Sequence, residues 1–186
     1  MANEPNAAEF DATDPIHACF EDQTQAVAED SIQQIHAIDS HTAGEPTRVV
    51  IEGGPPLGTG SLQERLNRFR DQHDAYRKAI VTEPRGSEVL VGALLCPPTD
   101  SSCLTGVMFF NNVGYLGMCG HGMIGVMETL KSCGRASTGK HRIETPVGIV
   151  TSTIHEDGTI SGSNVPSYRV ASDVKVDVDG VGTVVG

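Results

Sequence analysis

Apolar positions between residues 35 and 52 fall into two short β-branched runs, 35–39 and 47–52, around the polar segment HTAGEP. The pattern predicts two strands joined by a turn, and Gly53-Gly54-Pro55-Pro56 ends the second. The spacing then changes. Leu62, Leu66, Phe69 and Tyr76 recur at helical intervals, and Ser61 with Glu64 forms a capping box. A single helix from 62 to about 78 is expected. EVLVGALL at 88–95 and LTGVMFF at 104–110 read as strands, separated by CPPTDSSC. NNVGYLGMCGHG opens a second helix running to about 132, with Gly134 as its stop. Its apolar residues Met123, Ile124, Val126, Met127 and Leu130 cover more than one face, so this helix is expected to be buried on most sides. From 141 onward the pattern returns to strands: HRIET, VGIVTSTI, a turn at EDGT, ISGSNV and VKVDV. Strands, one outer helix and one interior helix imply an α+β domain. A curved, mostly antiparallel sheet would wrap a buried central helix.

Composition adds organisation. The formal charge is −11, yet eight of the 24 acids lie in residues 1–34, which hold no Lys or Arg. The remaining 16 acids face 13 bases. Residues 1–34 therefore read as an acidic disordered tail, in which a short helix over 23–32 is compatible but not required. Residues 35–170 read as the folded domain. An acidic chain without a basic stripe is not expected to bind nucleic acid or an anionic membrane. There is no apolar run of membrane-spanning length and no signal-peptide pattern, so a cytoplasmic location is expected. The five cysteines, Cys19, Cys96, Cys103, Cys119 and Cys133, are then expected to be free thiols.

The candidate chemistry lies in Met118-Cys119-Gly120-His121-Gly122. A thiol immediately before a helix start meets the positive end of the helix dipole and up to four free N–H groups. Two expectations follow. Cys119 should have a depressed pKa and serve as a base. The amides of Gly120, His121 and Gly122 should form an anion site suited to a carboxylate. An amino acid held there would present its α-carbon to the sulfur. His121 is expected to act mainly through its backbone N–H. The competing reading of Cys119 is a small buried hydrophobe, and of His121 a core histidine with its partners satisfied. Cys133, Cys96 and Cys103 read as structural or incidental. HTAGEP and TEPRG read first as turn chemistry with a salt bridge, and second as direct catalytic elements. Zinc-ligand spacing, a dinucleotide fingerprint and a P-loop are all lacking, so neither metal nor cofactor is expected.

Taken in order, IDSHTAGEPTRVV at 38–50, RKAI at 77–80, TEPRG at 82–86, NNVGYLGMCGHGMIGV at 111–126, HRIETPVGIV at 141–150 and NVPSYR at 164–169 resemble the proline racemase family. GYLGMCGHG and RIETPVG look most like its 4-hydroxyproline 2-epimerase branch. The resemblance implies a pseudo-symmetric fold of two halves similar to diaminopimelate epimerase, with the substrate between them. Each half supplies one thiol, and neither pyridoxal phosphate nor metal is used. By position, Cys119 matches the first thiol, and Gly120 and His121 match the carboxylate clamp. The substrate implied is hydroxyproline or proline.

Two departures stand out: EPRGSEVLVG replaces the family's EPRGH-x-DM-x-G pattern, and Met123 replaces a small polar residue. A second thiol segment is not found, and residues 171–186 read as the start of a second domain. This implies weak or no epimerase activity for the chain alone, and a second copy or a missing second half as partner. A 3-hydroxyproline dehydratase, a non-catalytic amino-acid-binding module and a thiol-redox protein remain open alternatives.

Overall fold

The computed structural model describes residues 34–186. The acidic head, Cys19 and the short helix considered at 23–32 lie outside them, Gln34 excepted. Strands β1 (His36–Thr42) and β2 (Glu45–Glu52) form an antiparallel hairpin. They extend further than their apolar runs, leaving only Ala43 and Gly44 as the turn. Both have positive φ, 50° and 101°, as a twist-matched two-residue hairpin requires.

The single helix expected at 62–78 is two. Helix α1 (Leu62–Gln72) carries both reciprocal bonds of the capping box between Ser61 and Glu64. It ends at His73, whose φ of −131° leaves the helical region, and α2 (Asp74–Val81) restarts at once. Apolar spacing had bridged this break because Phe69 and Tyr76 sit on either side of it. α2 restarts around a half-buried ion pair: buried Arg77 is held by Asp74 at 2.6 Å.

Strand β3 (Val91–Cys96) starts later than the run at 88–95 suggested, and it is followed by β4 (Thr105–Phe110) and the short β5 (Tyr115–Leu116). Helix α3 (Gly120–Ser132) comes next. Its end has Gly134 at φ 69°, with the Gly134 amide bonded to Lys131 C=O and the Arg135 amide to Leu130 C=O. This reciprocal pair satisfies the last free carbonyls. Strands β6 (Gly139–Thr145), β7 (Gly148–Ile154) and β8 (Ile160–Gly162) complete the body. Strands β9 (Lys175–Val178) and β10 (Gly182–Val185) pair only with each other.

The main sheet runs β1-β2-β3-β4-β6-β7-β8, with β5 added on β4. Only β2/β3 and β4/β6 are parallel. Those are the two places where a helix must cross over, since a tight turn cannot join parallel neighbours. The first crossover carries α1 and α2, the second α3. Strand alternation then divides the core. Val49, Val91, Ala93, Leu95, Val107 and Phe109 pack against α3. Val50, Leu94, Cys96, Met108 and Phe110 pack against α1 and α2. Because β3 and β4 are buried on both faces, they appear in the sequence as unbroken apolar runs.

α3 contacts β1, β2, β3, β7 and β8, so the sheet curls around it. The expected α+β architecture, a curved and mostly antiparallel sheet around a central helix, is the one found. Among the described residues no helix is long and apolar enough to cross a membrane.

Candidate active site

Cys119 is the N-cap of α3, in extended conformation at φ −136° and ψ 120°. The first intrahelical bond runs from Met123 N–H to Cys119 C=O at 2.9 Å. The amides of Gly120, His121 and Gly122 therefore precede the helical ladder, as the sequence suggested. Gly120 is exposed, and a side chain there would meet nothing within 4 Å. His121 is partly buried. Its Nδ1 lies 3.7 Å from the Cys119 sulfur, and its Nε2 is buried without a hydrogen-bond partner among the described residues. Gly122 lets the sulfur and the Phe109 ring close in: a Cβ there would sit 3.2 Å from Sγ and 3.0 Å from the ring.

The expected depression of the Cys119 pKa does not occur. Burial pushes the thiol above its ordinary value, and the amides of Gly122 and His121, facing the sulfur, pull it only partly back. Desolvation of the half-buried thiolate, packed with the Phe109 ring at Gly122, outweighs the helix end even though Gly120 beside it is exposed. The anion site is also partly committed: two of its three amides already face the Cys119 sulfur.

The remaining described cysteines separate by burial. Cys96 is buried, and its pKa is pushed up to about 11 by that burial. Cys103 is raised for the same reason. Cys133 caps the far end of α3.

The structure brings residues to this site that sequence reasoning left as turns. Thr42, next to the β1–β2 turn, donates its hydroxyl to His121 C=O at 3.1 Å. The TEPRG segment stays with turn chemistry. Arg85 donates back to Ala79 C=O at the end of α2. Arg48 pairs with Asp39 through two bonds and donates to the carbonyls of Ile80 and Arg85.

A second clamp sits upstream of the thiol. Arg77 donates to the carbonyls of Asn111 and Asn112 at 2.8 and 2.9 Å while both carboxylate oxygens of Asp74 hold it. Tyr115 adds its hydroxyl to Asp74 at 3.0 Å. This fixes the turn into β5, from which only Gly117 and Met118 lead to Cys119. Nothing in local spacing announces the bonds of Arg77 to Asn111 and Asn112 or of Tyr115 to Asp74, since each joins segments more than 30 residues apart.

Comparison with known proteins follows the same outline. Residues 37–186 match the family described as Proline racemase. The chain is 57% identical over 155 residues to a protein of Burkholderia thailandensis named 4-hydroxyproline 2-epimerase, covering 83% of this chain and 50% of that protein. A protein of Xanthomonas campestris with the same name is 61% identical over 152 residues, covering 82% and 49%.

Among solved structures, a hydroxyproline epimerase from Agrobacterium vitis with bound trans-4-hydroxy-L-proline superposes at a TM-score of 0.74. It has 22% identity and covers 81% of this chain and 47% of its own. A probable proline racemase from Agrobacterium radiobacter with bound carbonate gives 0.75 at 25% identity, covering 82% and 48%. The chain thus spans about half the length of the curated relatives it matches.

Proposed function

Given that the chain belongs to the proline racemase family, we propose that residues 35–170 form one lobe of a cofactor-independent amino-acid epimerase, with Cys119 as one of its two acid/base thiols. 4-Hydroxyproline is the favoured substrate and proline the second choice, supported by the names of the relatives above. The observation that carries the reading is Cys119 itself, a half-buried thiol capping an interior helix beside the exposed amide of Gly120.

The chemistry follows from the environment. A thiol held above its ordinary pKa is a poor source of resting thiolate but a stronger base once ionised, and it rests in the protonated form that the reverse direction uses as proton donor. Inversion needs both roles, one on each face of the α-carbon. The amides of His121 and Gly122 stabilise the sulfur anion when it forms. That of Gly120 is free to meet the substrate carboxylate, with His121 contributing on the open side. One thiol addresses one face, so this chain alone should exchange the α-proton with little or no inversion. The separate β9–β10 pairing supports reading 171–186 as the opening of a second unit. That unit, or a second copy, would supply the opposite thiol.

The test is α-proton exchange of L-hydroxyproline in D2O, followed by NMR. Exchange lost in Cys119→Ser supports the reading. Substrate binding without exchange would favour an amino-acid-binding module. Exchange that survives Cys119→Ser would remove this thiol from the mechanism.

A further inference from the structure

The β1–β2 hairpin touches α3 at two points one helical turn apart. At the first, Thr42 donates to His121 C=O at 3.1 Å. At the second, the cross-strand pair Ser40 and Thr47 lies directly on Gly125. A Cβ on Gly125 would fall 2.8 Å from Thr47 Cβ and 2.9 Å from each of Ser40 Oγ and Thr47 Oγ1, closer than real side chains approach. Thr47 is fully buried, and neither hydroxyl has a hydrogen-bond partner among the described residues. A buried hydroxyl without a partner is unfavourable, so apolar side chains would pack here at less cost. The hydroxyl oxygens instead face the Gly125 position, where a Cα–H···O contact is the interaction on offer. His121 and Gly125 share a helix face, being four residues apart.

We propose that this hairpin is a seat that fixes how deeply α3, and with it Cys119, lies in the concavity of the sheet, with Gly125 and Thr42 as positioning residues. Its functional meaning rests on the reading of Cys119 as the acid/base thiol; its physical content does not. Cys119 caps the same helix two residues before the Thr42 contact, so any retreat of α3 from the hairpin carries the sulfur toward solvent. Burial is what holds that thiol protonated, and the seat thereby sets how readily it ionises. This gives the HTAGEP segment a task beyond turning the chain: its second residue is the tether.

The experiment measures iodoacetamide labelling of each cysteine by peptide mass spectrometry on the folded 186-residue chain, with buried Cys96, unreactive while the chain is folded, as the reporter of general loosening. Gly125→Ala forces α3 away from Ser40 and Thr47. It should speed Cys119 labelling roughly threefold, the gain in thiolate from about half a pKa unit, with Cys96 unchanged. Thr42→Val should act in the same direction, and Thr42→Ser, which keeps the donor, should label like the native chain. Adding Ser40→Ala and Thr47→Gly together, which removes all three clashing atoms, should restore the native rate to Gly125→Ala but not to Thr42→Val.

Unchanged Cys119 labelling in both single variants overturns the proposal. So does a parallel rise at Cys96, which would mean general loosening. If Gly125→Ala does not fold, the Thr42 pair decides by the same criterion. Labelling reads the sulfur's position whether or not turnover occurs. Failed α-proton exchange with these labelling results intact would therefore count against the proposed activity and leave the seat standing.

Discussion

Arg77→Met should destabilise the domain by about 3 kcal/mol, and the structure shows where that comes from. The native Arg77 side chain is 8% exposed, and its guanidinium makes two bonds to Asp74 and one each to the carbonyls of Asn111 and Asn112. Methionine keeps most of the aliphatic packing and deletes every donor. Each carbonyl left without a partner costs about 1–3 kcal/mol, and here the low end applies because Asn111 and Asn112 are only partly buried. Losing the charge partner of Asp74 adds about 1 kcal/mol, less than for a sealed pair because Lys78 and Tyr115 still reach the carboxylate.

Asp74 adds a pH signature. Its hydrogen bonds from Arg77 are the main cause that holds its pKa well below the usual aspartate value. A depressed folded-state pKa contributes stability that is complete above the ordinary value near ~3.9 and is lost as pH falls toward the folded value. Urea unfolding of the native chain, Arg77→Met, Asp74→Asn and the double variant measures all of this. The margin of the native chain over Asp74→Asn should be full at pH 6 and shrink below about pH 4. The double variant should lose at least about 1 kcal/mol less than the sum of the singles. A loss under about 1 kcal/mol for Arg77→Met, or strict additivity, would refute the clamp.

Three other outcomes can be checked directly. Gly162→Ala brings a Cβ onto Met123 Cε; because that atom is the far end of a flexible side chain, a rotamer shift should hold the loss to within about 1 kcal/mol in urea unfolding. Ser40→Ala removes a hydroxyl with no partner among the described residues, so its melting temperature should match or exceed the native one. In the native chain, the pH midpoint for Cys119 labelling should lie above that of an exposed thiol, because burial raises its pKa. Cys96, pushed up to about 11, should label only under conditions that unfold the chain.

The match between Ser61 and Glu64, the buried face of α3, the stop at Gly134 and the strands around them were legible because each is a local signal. Capping, 3.6-residue periodicity and positive-φ glycine act within a few residues. The apolar runs at 88–95 and 104–110 likewise betrayed strands, and the structure adds that β3 and β4 are covered on both faces. The break at His73 was not legible, since the apolar spacing on either side continued through it. The helix that restarts there carries Arg77 to the turn at 111–112, a partner more than 30 residues away.

The same division runs through the site. The sequence alone placed a thiol at the start of an interior helix, with amides ahead of the ladder, because chain order and helix polarity are set residue by residue. It could not settle the protonation of that thiol. The helix dipole argued for a lowered pKa and burial decided otherwise, and burial is a sum over the Phe109 ring of β4, the first turn of α3 and the core they join. Nor could it show that Thr42, Ser40 and Thr47 support the helix 70 or more residues onward. Local pattern specifies which element forms and which way its dipole points. The depth at which a charged atom sits, and so the chemistry it can do, exists only once distant segments have closed around it.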